Sequence, residues 1–120
     1  MDQDINKIYH NDFGVSFIWK QETPKKKQSP KIQIIFRDMG FYLTYREIIQ
    51  FQKQIQYVKF SNPCAQCKYK ERNRFMLLKT PCSQVDLAIN ALELRDIDDL
   101  IAGTLFHIEL DDYVNEICKN

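Results

Sequence analysis

The sequence predicts an α+β fold: a mainly antiparallel sheet of five or six strands, built from an N-terminal hairpin and two ββα units, with two helices on one face. Three observations lead there. Short segments alternate apolar and polar residues with period two, and the links between them are hairpin turns rather than crossovers. Two longer segments repeat apolar residues at helical spacing, each opened by a capping-box pattern. The two strand–strand–helix stretches also align with each other at an offset of 46 residues.

The first strands read as Ile5 to Tyr9 and Phe13 to Lys20, the second alternating Val15, Phe17 and Trp19 with Ser16, Ile18 and Lys20 to give the sheet one drier face. Gln21 to Pro30 holds two prolines, three consecutive lysines and no apolar residue, which predicts a solvated loop. Ile32 to Arg37 and Phe41 to Thr44 form a hairpin through Asp38-Met39-Gly40. Thr44 with Glu47 starts a helix whose Ile48, Phe51, Ile55 and Val58 share a face, and Ser61-Asn62-Pro63 ends it. A basic loop follows to Arg74. Phe75 to Lys79, a connection through Gln84, and Val85, Leu87 and Ile89 make the next hairpin. Asn90 with Glu93 caps the last helix.

The 46-residue offset pairs Phe41 with Leu87, Leu43 with Ile89, Thr44 with Asn90 and Glu47 with Glu93, then Ile48 with Leu94, Phe51 with Ile97 and Ile55 with Ile101. The 120 residues therefore read as one domain containing two ββα units, 31–58 and 75–110. The last segment continues Leu94, Ile97, Ile101, Leu105 and Ile108, then shifts its apolar stripe to Leu110, Val114 and Ile117. Either one helix runs from Ala91 to Cys118 or it breaks near Gly103 or Glu109. A long helix with two apolar stripes needs a second surface for its far end, and a second subunit is the natural one.

With 44% hydrophobic residues, 28% charged, 3 Gly and 4 Pro, the composition is that of a globular chain and excludes fibrous or low-complexity classes. Net charge is +1 but unevenly spread: residues 1–81 carry 15 Lys and Arg against 7 Asp and Glu, residues 82–120 carry 2 against 9. No apolar segment is long enough to span a membrane, and no secretory signal is evident near Asp2, Asp4 and Lys7, so a cytoplasmic protein with reduced cysteines is expected.

YHNDFG at the start, FRDMGFYLTYREIIQF in the middle and RNRFMLLKTPCSQVDLAINALELRDIDDLI later together resemble a family of small uncharacterised proteins from Bacteroidota, a domain of unknown function. The resemblance spans residues 8–108, and its motifs are structural rather than catalytic. It implies the fold described above and no activity. Many members carry a Cys-x-x-Cys in the first hairpin, near the position of Trp19, and this chain lacks it, so no metal role carries across.

Cys64-Ala65-Gln66-Cys67 has the spacing with which two thiolates grip one metal ion, and Cys82 lies fourteen intervening residues further on. Cys118, His10 or His107 could complete a tetrahedral zinc set, although a zinc ribbon would show a second close pair. The pair could also be a redox dithiol, with Lys68 as its electrostatic help. Ordinary thiols in a loop are the simplest reading. Lys25, Lys26 and Lys27, with Lys68, Lys70, Arg72 and Arg74, form two basic clusters suited to a polyanion. A pI near 7.6 and the lack of a nucleic-acid-binding signature favour a solvated loop instead. Neither a phosphate loop, a nucleophile elbow nor a His-Glu-x-x-His stretch is present, and His107 on an apolar stretch reads as a packed or interface histidine. Asp96, Asp98 and Asp99 suit the start of a helix. The sequence thus points to a binding or assembly protein without catalysis or cofactor, homodimeric through its C-terminal helix. The alternative is a zinc- or nucleic-acid-binding accessory module built on the Cys64/Cys67 loop.

Overall fold

The structure, a computed structural model, describes residues 4–20, 31–61 and 76–118. Its elements are β1 (Ile5–His10), β2 (Gly14–Trp19), β3 (Ile32–Phe36), β4 (Met39–Leu43), α1 (Tyr45–Ser61), β5 (Met76–Lys79), β6 (Asp86–Ile89) and α2 (Ala91–Cys118). The fold is α+β. β1 to β4 form one antiparallel sheet in chain order, and among the described residues β5 pairs only with β6.

The expected single sheet of five or six strands is therefore corrected to one of four strands and one of two. α1 packs on β4 and on β5, so the second hairpin joins the molecule through side chains rather than through backbone bonds to β4. That hairpin buries Met76, Leu78, Leu87 and Ile89 and exposes the alternate residues, which is what a sheet with one covered face requires.

Both helices lie on the same face of the four-stranded sheet. Ser16, Ile34 and Phe41 are register partners across β2, β3 and β4. Ser16 bonds to Thr104 of α2 at 2.7 Å, while Phe41 packs on Phe51 of α1 with ring centroids 5.9 Å apart. Ile34, Phe36, Ile48, Phe51, Ile55, Ile97, Leu100 and Ile101 fill one core between these layers. Each fully buried aliphatic or aromatic side chain there contributes about 1.5–3 kcal/mol relative to exposure.

Two details differ from the sequence reading. The β3–β4 turn consists of Arg37 and Asp38 alone, with Phe36 paired to Met39, so Met39 and Gly40 belong to the strand. Arg37 takes the first turn position at φ 55°, a left-handed conformation unusual for a non-glycine residue. Its guanidinium is held there by an ion pair to Glu93 and by lying over the Phe13 ring. Secondly, Val15, Phe17 and Trp19 lie on the sheet face away from the helices, because Val15 and Phe17 share register with Ile35 and Gln33 on the outer side of β3. The helix side of β2 is given to Gly14 and Ser16, whose small size admits α2 closely. A Cβ on Gly14 would lie 2.3 Å from the Ile35 carbonyl oxygen and 3.0 Å from Leu100.

Both capping boxes form as read. The Thr44 N–H donates to Glu47 at 2.8 Å and the Glu47 N–H to Thr44 at 3.2 Å; the Asn90 and Glu93 pair repeats this at 2.9 and 2.8 Å. From β4 and β6 onward the two ββα units keep the 46-residue offset, but the β5–β6 connection has six residues where β3–β4 has two, so β5 falls out of step with β3. On the first sheet, the ladder between β1 and β2 shifts register between Lys7 and Tyr9, leaving Ile8 as an extra residue in the edge strand.

Candidate docking helix

Of the residues that the sequence marks for chemistry, Cys64, Cys67, Lys25, Lys26, Lys27, Lys68, Lys70, Arg72 and Arg74 lie outside the described residues. Cys82 is described. It sits exposed in the β5–β6 connection, where its N–H donates to the Thr80 hydroxyl at 3.2 Å and that hydroxyl donates to the Val85 carbonyl at 2.7 Å. Among the described residues no group of three His, Cys, Asp or Glu side chains is placed to hold a metal ion. His10 ends β1 and is exposed; His107 is half-buried, stacked on Tyr9 with centroids 5.5 Å apart. An open cleft of about 380 Å³ separates Gln50, Lys53 and Gln54 of α1 from Lys79, Thr80 and Asp86.

The acidic residues early in α2 have structural partners beyond the helix dipole. Asp98 accepts from Lys59 at 2.7 Å and from Gln56 at 3.1 Å. Asp99 accepts from the Tyr9 hydroxyl at 2.8 Å and from Asn11 at 2.9 Å. Asn11 also donates to the Asp96 carbonyl and, through its own side-chain oxygen, receives the Phe13 and Gly14 N–H groups at 2.9 and 3.0 Å. The YHNDFG segment is thus a clasp that closes the first hairpin onto α2. Between Asp99 and His107 the Tyr9 ring lies flat on Gly103, where an added Cβ would come within 2.3 Å of it. This contact, not a helix break, explains the glycine: α2 is continuous over 28 residues, about 42 Å at the usual rise.

Along that length α2 changes sides. Ala91, Leu94, Ile97, Leu100, Ile101, Thr104 and Leu105 are buried against the body. Phe106 comes nine residues after Ile97, half a turn away at about 100° per residue, and it is 60% exposed where Ile97 is 0%. Leu110, Tyr113 and Val114 follow on the same outward side, all exposed. The track that continues the core-facing stripe past Ile108 instead carries Asp111 and Asp112, also exposed. From Glu109 to Val114 every residue of the helix is exposed.

Two phenols steady this helix. Tyr45, the first residue of α1, donates to Glu109 at 2.7 Å, and its pKa is raised by that bond, by burial and by the charges of Glu109 and Asp112. The Tyr9 pKa is raised in the same way, first by its bond to Asp99, then by burial and the Asp99 charge. The raised pKa values keep both phenols protonated, and they act here as hydrogen-bond donors.

The sequence located the shifted stripe at Leu110 and Val114 but missed Phe106 and Tyr113. Both were available from spacing, since Phe106 precedes Leu110 by four residues and Tyr113 follows it by three. Ile117 of the expected stripe, and Cys118, belong to the end of α2, where the structure describes the backbone alone. No helix among the described residues is long and apolar enough to cross a membrane. Comparison with protein-family models, with curated proteins and with solved structures finds no match to this chain.

Proposed function

We propose that this protein is a non-catalytic binding and assembly module that forms homodimers through the outward side of α2. One observation carries the reading: Phe106, Leu110, Tyr113 and Val114 form an exposed apolar strip on a helix end that projects from the body, with its polar side turned toward the core track. A helix in water gains nothing from presenting aromatics outward, and such strips mark surfaces that another protein covers.

The test is the solution mass at about 10 µM, where a micromolar interface is well populated. The expected result is a mass above the 14.4 kDa of one chain. Replacing Phe106 and Leu110 together by serine should return it to the monomer with an unchanged far-ultraviolet spectrum. A wild-type monomer at that concentration would sink the proposal. Treatment with a chelator should leave the assembled mass as it was. Dissociation on metal removal would move the reading to the alternative, a zinc module built on Cys64 and Cys67.

A further inference from the structure

The far end of α2 that bears the outward strip is acidic. Glu109 lies beside it, Asp111 and Asp112 stand exposed on the opposite track of the same helix end, and no Lys or Arg occurs from Asp96 to Cys118. The last turn of α2 has no basic residue to offset the negative end of the helix dipole, where positive charge is favoured. Packing two such helix ends against each other would bring net negative charge against net negative charge in either orientation. The strip is small as well: at 42% to 63% exposure its four described side chains offer roughly 400 Å², half of the roughly 800 Å² per partner typical of a stable interface. It calls for a wider, apolar and cationic receptor.

The protein carries such a surface. The outer face of the four-stranded sheet, opposite both helices, presents Trp19, Ile35 and Tyr42, between 36% and 39% exposed, with Val15 beside Ile35 in register. Phe17 lies beneath Trp19, their rings meeting edge to face at 5.0 Å. Lys7 stands on this face as the register partner of Phe17, and Lys31 lies over the Tyr42 ring at 5.4 Å. No Asp or Glu occurs in β1, β2, β3 or β4. A sheet normally turns polar side chains to solvent on its open face. This one turns aromatics and aliphatics.

We infer that the acidic, apolar end of α2 docks on the outer sheet face of a second copy of this chain, so that the homodimer is held by exchange of helix ends onto sheets rather than by helix against helix. The inference rests on the assembly reading above and specifies its receptor. Reciprocal docking closes a twofold dimer and counts the small strip twice; one-way docking would give an open series of larger species.

Complementation decides it. One variant carries Phe106→Ser with Leu110→Ser, the other Ile35→Glu, each checked by thermal melting for an intact fold. Each variant alone should self-associate roughly tenfold more weakly than wild type, or worse. Mixed in equal amounts they should form a 1:1 species, because the first retains a sound sheet face and the second a sound helix end. Raising salt from about 50 to about 500 mM should weaken wild-type assembly, since opposite charges attract across the interface. If Ile35→Glu assembles like wild type while the helix variant does not, or if salt strengthens assembly, the sheet is not the receptor and the assembly reading stands alone. If wild type is monomeric, both fall.

Discussion

The two halves of α2 obey the same helical periodicity and solve opposite problems. Up to Leu105 the apolar track faces a sheet and a second helix, and the polar residues Asp98 and Asp99 reach sideways to Lys59, Tyr9 and Asn11. After Leu105 the apolar track lies on the far side, and the carboxylates occupy the line that the core used. A helix that only completed its own domain would stop, or turn polar all round, at Ile108. Continuing with aromatics on the reversed side shows that periodicity alone does not identify a core; its phase relative to the body does.

The sharpest way to break this comparison is to delete one apolar side chain from each half. Ile97→Ala should cost about 2–5 kcal/mol in urea unfolding, through lost burial and a cavity. Leu110→Ala, measured in dilute monomer, should change stability by less than about 0.5 kcal/mol. Equal losses would mean that the far half packs on its own body after all.

Gly103, near the junction of the halves, comes next. Alanine in a helix interior normally adds about 0.5–1 kcal/mol of stability. Here its Cβ would meet the Tyr9 ring at 2.3 Å, so Gly103→Ala should destabilise by about 1–3 kcal/mol. Removing the ring as well, in the double variant with Tyr9→Ala, should recover part of that loss. A stabilised Gly103→Ala single variant would show that the clasp does not hold the helix.

A smaller effect is expected at the buried end. Glu47→Ala should cost about 1 kcal/mol by opening the α1 capping box, and Glu93→Ala somewhat more, because Glu93 also pairs with Arg37. Equal costs in chemical denaturation would assign nothing to the Arg37 contact.

The smallest effect is the alkaline one. Folding keeps Tyr9 and Tyr45 protonated above their ordinary pKa of 10.0, so on raising the pH the unfolded chain loses these protons first. Their contribution is whole below pH 10 and drains away as the pH climbs through the raised folded values. Tyr9→Phe and Tyr45→Phe should flatten that decline in the urea midpoint. An unaltered decline would show that neither carboxylate holds its phenol.

Local chemistry was the legible part of this sequence. The capping boxes at Thr44 and Asn90 bring together residues three apart, and both form. Which face of β2 is inward was not legible, because Phe17 and Ile18 are both apolar and the decision falls to Gly14 and Ser16 meeting Leu100 and Thr104, far along the chain. The division into two sheets was hidden for the same reason, since it depends on where α1 settles. The site was half visible: spacing located the Leu110 stripe, while the open sheet face was masked by the assumption that alternating apolar residues point to the core.

Among the described residues β1 is an edge strand, pairing only with β2, and this bears on all of the above. An open apolar sheet with free rims invites strands of other molecules to add without limit, the route to insoluble fibres. The extra residue at Ile8 interrupts the spacing of backbone donors and acceptors that an incoming strand would need, and Lys7 adds charge to the same strand. Through that one irregularity the protein can leave a hydrophobic face uncovered while its own edge stays a poor template for growth.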